Sequence, residues 1–151
     1  MQFIGLNHIY LLIVEGVLKL HKLVESVCVV VRSDQIFSTA IIVPDKTNLN
    51  KFAQDALRKT GFTPEQLCED TSVKSALCKD LLTFGLANGL EKFEIPKKIC
   101  LVLDEWTPES GLITAASKLK RKEVEKFYQS QIEKMYSIEN GDTARIINER
   151  K

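Results

Sequence analysis

Apolar residues change their spacing several times along this chain, and each change marks an element. Between residues 12 and 25, Ile13, Val17, Leu20 and Val24 recur at helical spacing, which predicts an amphipathic helix. The period then shortens. Ser26-Val-Cys-Val-Val-Val31 is short and β-branched, Arg32-Ser-Asp34 has turn chemistry, and Ile36 to Val43 is again strand-like, so a β-hairpin ending at Pro44 is expected. In it Val27, Val29 and Val31 share one face and Cys28 and Val30 the other; both faces are apolar, so helices should cover each.

Residues 47–60 place Leu49, Phe52, Ala53, Ala56 and Leu57 on one helical stripe, and Gly61 stands where a left-handed cap would close it. Thr63-Pro64-Glu65-Gln66 reads as the next helix start, with a threonine N-cap, proline in the first turn and glutamine placed for a capping box. A further helix is predicted from Ser72 to Ala87, with Val73, Ala76, Leu77, Leu81 and Phe84 inward and Asn88-Gly89 as its stop. Ile99 to Leu103 is a third strand and Thr107-Pro-Glu-Ser-Gly111 a loop. Val124, Phe127, Tyr128, Ile132, Met135 and Tyr136 form the stripe of a last helix, and residues 137–151 form a polar, mobile tail. The order specifies an α+β domain: a small mixed or antiparallel sheet, made of the hairpin plus a further strand, covered by amphipathic helices.

Composition narrows the functions open to such a domain. At 151 residues, 44% hydrophobic, the chain has the size of one globular unit. Twenty-one basic against 20 acidic residues give a formal charge of +1, so any polyanion site must be local. Single-strand nucleic-acid binding lacks the interleaved aromatics that base stacking requires, and no nucleic-acid partner is expected. Cys28, Cys68, Cys78 and Cys100 are scattered, with no CxxC pair and no histidine at ligand spacing, which predicts reduced thiols and no metal site. His8 and His21 sit in an apolar stretch without a nucleophile signature, so both read as structural. Residues 3–20 are largely apolar, but Asn7, His8 and Glu15 interrupt them, short of the roughly 20 residues a spanning helix needs. With no basic leader and no small-residue cleavage site, a buried helix is preferred and the chain reads as soluble and cytosolic. Gly-rich phosphate loops, Walker or Rossmann fingerprints and paired carboxylates are absent, so nothing supports an enzyme complete within this chain.

Residues 93–128 read FEIPKKICLVLDEWTPESGLITAASKLKRKEVEKFY. Phe93-Glu-Ile-Pro96, Trp106-Thr-Pro-Glu109, Gly111-Leu112, Thr114 and Lys118-Leu-Lys-Arg-Lys122 follow one another in the order and spacing of the eukaryotic long-chain acyl-CoA synthetases, the AMP-forming fatty acid–CoA ligases, whose C-terminal end this stretch closely resembles. The resemblance reaches back through Val14-Glu15, Leu23-Val24, Ile41-Ile-Val-Pro44 and Glu65-Gln-Leu-Cys68, covering residues 14–136. It departs over residues 1–13, where the family carries a GEYVS-type loop and this chain reads Gly5-Leu-Asn-His-Ile-Tyr10. The family's large N-terminal nucleotide-binding domain has no counterpart in the sequence.

What the resemblance implies is a reaction in two steps: ATP and a fatty acid give an acyl-adenylate and pyrophosphate, then the acyl group passes to coenzyme A with release of AMP. The small domain acts as a mobile lid and supplies a lysine. Lys118 occupies that position, with Lys120 as the alternative; Ser117 stands where the wider superfamily usually has glycine. A compact ammonium on a flexible stem suits a group that must reach two converging oxyanions. Lys120, Arg121 and Lys122 are candidate phosphate contacts, because cations are held at a helix N-terminus that disfavours each by roughly 0.3–1 kcal/mol. Trp106 and Gly111 are read as structural loop residues, packing and backbone geometry respectively, and Glu15 as an exposed helix carboxylate. By the same resemblance, ATP, Mg2+ and coenzyme A serve the full-length enzyme, at the cytoplasmic face of the endoplasmic reticulum or other membranes. The partner is the nucleotide-binding domain of that enzyme, and the isolated chain should be inactive. The alternative is a non-catalytic protein-binding module derived from the same domain.

Overall fold

A computed structural model of the chain describes residues 8–137, for His8 the backbone alone. Of the tail expected over 137–151, residues 138–151 lie outside the described residues and Ser137 belongs to the last helical stretch; residues 1–7 of the divergent N-terminal segment also lie outside. Helix α1 spans His8–Leu18, and the strands are β1 (Val24–Val30), β2 (Thr39–Pro44) and β3 (Lys98–Leu101). Between β2 and β3 lie α2 (Lys46–Leu57), α3 (Pro64–Glu69), α4 (Thr71–Ala87) and a 3-10 turn, Lys92–Glu94; α5 (Arg121–Phe127) follows β3. After an irregular turn at Tyr128 the chain is again helical over 129–137.

The sheet has the order β1-β2-β3, antiparallel between β1 and β2 and parallel between β2 and β3. It is therefore mixed, and both faces are buried. Val27, Val29, Ala40, Ile42, Ile99 and Leu101 pack against Leu11, Val14 and Leu18 of α1, Leu49 and Ala53 of α2, and Val73, Leu77 and Leu81 of α4. Cys28, Val30, Ile41 and Val43 pack against Val124, Tyr128, Ile132, Met135 and Tyr136, with Trp106 and Leu112 from the loop closing the end. The alternation expected for the hairpin is observed. Ile36 does not extend it, because β2 begins at Thr39 and Ile36 stands exposed in the connecting loop.

Helix boundaries depart from the sequence reading in identifiable ways. The helix expected over 12–25 ends at Leu18, and Val24, assigned to its stripe, opens β1. A turn separates them, in which Leu18 O accepts from His21 N–H (3.1 Å) and His21 O from Val24 N–H (3.0 Å). The buried stripe is Leu11, Val14 and Leu18, whereas Ile13 and Leu20 face solvent. Apolar residues surround nearly the whole circumference of α1, so periodicity alone cannot select its inner face. Asp45 caps α2, accepting from Asn48 N–H at 2.9 Å, and the helix closes at Arg58 with φ 53°, ahead of Gly61; Ala56 on its expected stripe is exposed. The capping box at Thr63 and Gln66 forms as its residues predict, with bonds of 3.1 and 2.9 Å. Phe127, expected inward, is exposed, because α5 breaks at Tyr128 and it is Tyr128 that turns into the core.

His21 is buried and structural: Nδ1 accepts from Leu23 N–H (3.1 Å), Nε2 meets the Asp80 carboxylate, and the ring stands edge-on to Phe84. All four cysteines are free, with Cys28 and Cys68 buried. Among the described residues no helix is long and apolar enough to cross a membrane.

Candidate functional site

The segment from Gly111 to Lys122 forms a small hairpin leading into α5. Ile113 and Leu119 bridge antiparallel, Thr114 N–H donates to Lys118 O (2.7 Å) and Ser117 N–H to Thr114 O (2.9 Å). Lys118 N–H returns to Thr114 Oγ1 at 3.0 Å, so one threonine closes the turn through backbone and side chain together. Three-residue hairpin loops place their last residue in the left-handed region, and Ser117 has φ 63°. It is a position that glycine fills without strain. Gly111, at the foot of the hairpin, also needs its residue type, with φ 81°.

This geometry sends the sequence-predicted cations in different directions. Lys118 stands exposed at the end of the turn, Lys120 sits at the N-cap of α5 and Lys122 in its first turn, both exposed. None of the three makes an ion pair among the described residues. Arg121 turns inward. Its Nη2 donates to Glu15 Oε1 at 2.7 Å and its Nη1 to Glu15 Oε2 at 2.8 Å, and Nη1 also reaches Val29 O at 2.9 Å. Glu15 Oε2 in turn accepts from Val29 N–H at 2.7 Å. The planar fork of arginine makes this bidentate contact possible where a lysine could not. Burial alone would lower the Arg121 pKa, but the hydrogen bonds and charge of Glu15 outweigh it and raise the value.

Glu15 therefore corrects the reading of it as an exposed helix carboxylate: its side chain is 8% exposed and that of Arg121 10%. The signal was present, since a carboxylate within an apolar helix has to be paired. Cys28 lies beside the pair, 3.7 Å from Arg121 Nη1; burial, then the Glu15 charge, push its thiol pKa far up, so it stays protonated.

Trp106 anchors the loop over α5. Its Nε1–H donates to Tyr128 Oη (3.0 Å), which donates to Asp104 Oδ2 (2.9 Å). Burial raises the Tyr128 pKa, the Trp106 hydrogen bond lowers it by less, and the Asp104 contact raises it again, so the hydroxyl keeps the proton this chain of bonds requires. Asp104 carried no sequence signal of this role.

An open groove of about 980 Å3 runs between the hairpin and α1, lined by Leu12, Gly16 and Lys19 on one side and Ser117, Lys118 and Lys122 on the other. Its lining holds four lysines (Lys19, Lys118, Lys120 and Lys122), and Glu123 is its one carboxylate besides the paired Glu15. The groove thus presents mobile ammonium groups beside apolar surface, a setting that receives anionic oxygens.

No family model matches the chain. A long chain acyl-CoA synthetase of Arabidopsis thaliana is 37% identical over 112 residues, 72% of this chain and 15% of its own length. A long-chain fatty acid–CoA ligase of Mus musculus is 40% identical over 104 residues, 68% of this chain and 15% of its own length. The chain thus spans about a seventh of these relatives. Among solved structures, the A-PCP didomain of a carboxylic acid reductase from Segniliparus rugosus, in complex with AMP, superposes with a TM-score of 0.69 at 25% identity, covering 84% of this chain and 16% of that one. Sequence and fold agree: over most of its length this chain is homologous to the long-chain acyl-CoA synthetases, and it fits the C-terminal domain of an AMP-forming ligase.

Proposed function

We propose that this chain is the lid domain of a long-chain fatty acid–CoA ligase and that Lys118 is its catalytic lysine. The observation that carries this reading is the presentation of Lys118: a hairpin fixed at both ends by Thr114 holds it in the open, directly after a residue in the left-handed conformation. In adenylation the fatty carboxylate attacks the α-phosphate of ATP and pyrophosphate departs, and the Lys118 ammonium would neutralise the charge shared between carboxylate and phosphate. Lys120 and Lys122, on the same groove, would contact phosphate oxygens, and Lys120 is the alternative for the catalytic role. Arg121 has its Nη1 and Nη2 donors on Glu15 and Val29, and in this reading it holds the hairpin against α1. The nucleotide-binding domain is the proposed partner, receiving ATP and coenzyme A as substrates. Among the described residues there is no group of three His, Cys, Asp or Glu that could hold a metal, and no step proposed here runs through Mg2+, which the resemblance assigns to the full-length enzyme with ATP.

The test is a pair of half-reactions with the chain fused behind a matching nucleotide-binding domain. Losing one charge-assisted contact in the transition state costs on the order of 3 kcal/mol, about a hundredfold in rate. Lys118→Ala should slow pyrophosphate exchange by that factor and leave acyl transfer from supplied acyl-adenylate near the parental rate, with Lys120→Ala, which removes a phosphate contact only, losing far less in exchange. A normal Lys118→Ala beside a crippled Lys120→Ala moves the role by two residues; parallel loss of both half-reactions makes the lysine structural.

A second reading, a non-catalytic protein-binding module, draws on α1, where Ile9, Leu12 and Ile13 face outward together with Leu20 just beyond. Such contiguous exposed aliphatics mark interaction surfaces. Ligase activity restored by the fusion and abolished by Lys118→Ala would decide against it.

A further inference from the structure

We propose that a second groove, between the loop joining β1 to β2, helix α4 and the segment entering β3, binds an anionic amphiphile of the long-chain carboxylate class. This inference does not rest on the ligase reading, and the groove shares no residue with the one beside Lys118.

Its volume is about 730 Å3, within the range of small-molecule sites. Phe37, Leu82, Ile95 and Pro96 wall it. Ile36, 79% exposed, and Phe93, 38% exposed, stand at its lip without apolar cover. Lys79 and Lys92 border this apolar surface, Lys97 lies with its ammonium over the Phe37 ring, and no carboxylate lines the groove. Three of the acidic residues near the lining residues in sequence face other groups. Asp80 is bound to His21, Glu94 accepts from the Glu91 amide at 2.6 Å and also faces Tyr10, and Asp34 lies toward Tyr136.

The walls are held in place. Phe37 packs on Tyr136 with ring centroids 5.0 Å apart, Lys97 N–H donates to Ser38 O at 2.9 Å, and the Lys97 ammonium lies 5.4 Å from the Phe37 ring centroid. Uncharged polar partners are scarce. Ser75 and Cys78 are the polar side chains in the lining besides the lysines, and Cys78 Sγ is directed to Lys97 O at 3.6 Å. A peptide laid in this groove would leave backbone amides unsatisfied, which is costly, whereas a methylene chain makes no such demand. Burial pushes the Cys78 thiol up to about 11, so the groove is built for binding and not for thiolate chemistry.

The test titrates the full 15N-labelled chain with laurate below its micelle concentration, beside dodecanol and an acidic, apolar peptide. Laurate should shift the amides of Ile36, Phe93 and Lys97 to saturation and leave those of the Lys118 hairpin unmoved. Replacing Lys79 and Lys92 by glutamine should weaken laurate about tenfold, and dodecanol should bind about tenfold more weakly than laurate, the loss expected for a charge-assisted contact. Lys118→Ala should bind laurate as the parent does, which separates this site from the proposed catalytic one. Shifts confined to the Lys118 hairpin, equal binding of dodecanol, or saturation by the peptide without saturation by laurate each overturn the proposal.

Discussion

Replacing Arg121 by methionine tests the contact on which the lysine hairpin rests. The substitution keeps an unbranched side chain but removes the guanidinium, leaving the Glu15 carboxylate, 8% exposed, with Val29 N–H as its remaining hydrogen-bond partner and Val29 O without the Arg121 donor. Removing one partner of a buried pair costs roughly 3–5 kcal/mol, because the other charge stays buried without compensation. That is a large share of the roughly 5–15 kcal/mol that stabilises a domain, and it corresponds to a fall in Tm of roughly 10 °C at this size. Urea unfolding of the parent, Arg121→Met, Glu15→Leu and the double variant at pH 7 measures it. The double variant leaves no buried charge, so its loss should fall short of the summed single losses by about 2 kcal/mol, although Val29 still lacks both contacts. An Arg121→Met loss under about 1 kcal/mol, the level of an exposed pair, or a strictly additive cycle, would refute the reasoning.

Ser117→Gly removes a side chain from a left-handed residue, φ 63°, relieving about 1–2 kcal/mol of strain against up to about 1 kcal/mol of added unfolded-state entropy. Thermal unfolding should therefore show a small gain, and Ser117→Val a clear loss; the reverse order would sink the assignment. Burial pushes the Cys68 and Cys78 thiols up to about 11, so at pH 8 about one in a thousand is thiolate. Native-state alkylation of both should be far slower than in guanidinium, and equal rates in the two conditions would contradict their placement.

The parts legible in the sequence are those whose signal is local. Val27 and Val29 facing one way, Cys28 and Val30 the other, follow from strand alternation, and the sheet buries both sides as two apolar faces require. The Thr63–Gln66 capping box is likewise written in four residues. What failed depended on competition. Gly61 offered a cap, but α2 closes at Arg58, where Arg58 N–H finds Gln54 O (3.0 Å) and Lys59 N–H finds Ala53 O (3.0 Å). In α1 an almost uniformly apolar sequence left the inner face open. The candidate site divides in the same way: the order of Lys118, Lys120, Arg121 and Lys122 could be read, but not that Arg121 leaves the lysines for a partner 106 residues away.

That partnership also settles an edge of the sheet. The strand order leaves β1 paired on one side only, so its outer backbone groups need partners or invite another strand. At Val29 both are taken, the N–H by Glu15 and the carbonyl by Arg121. One side chain comes from α1 and the other from the first turn of α5, directly after the hairpin, so the ion pair closes the β1 edge and joins three elements in one arrangement. Lys118 lies three residues before Arg121 in a turn fixed by Thr114, and its position is therefore referred to the sheet through this pair. An apolar replacement of both Glu15 and Arg121 would fill their volume yet reopen the edge at Val29. The expected failure of that variant is thus self-association through β1 as well as displacement of the lysine.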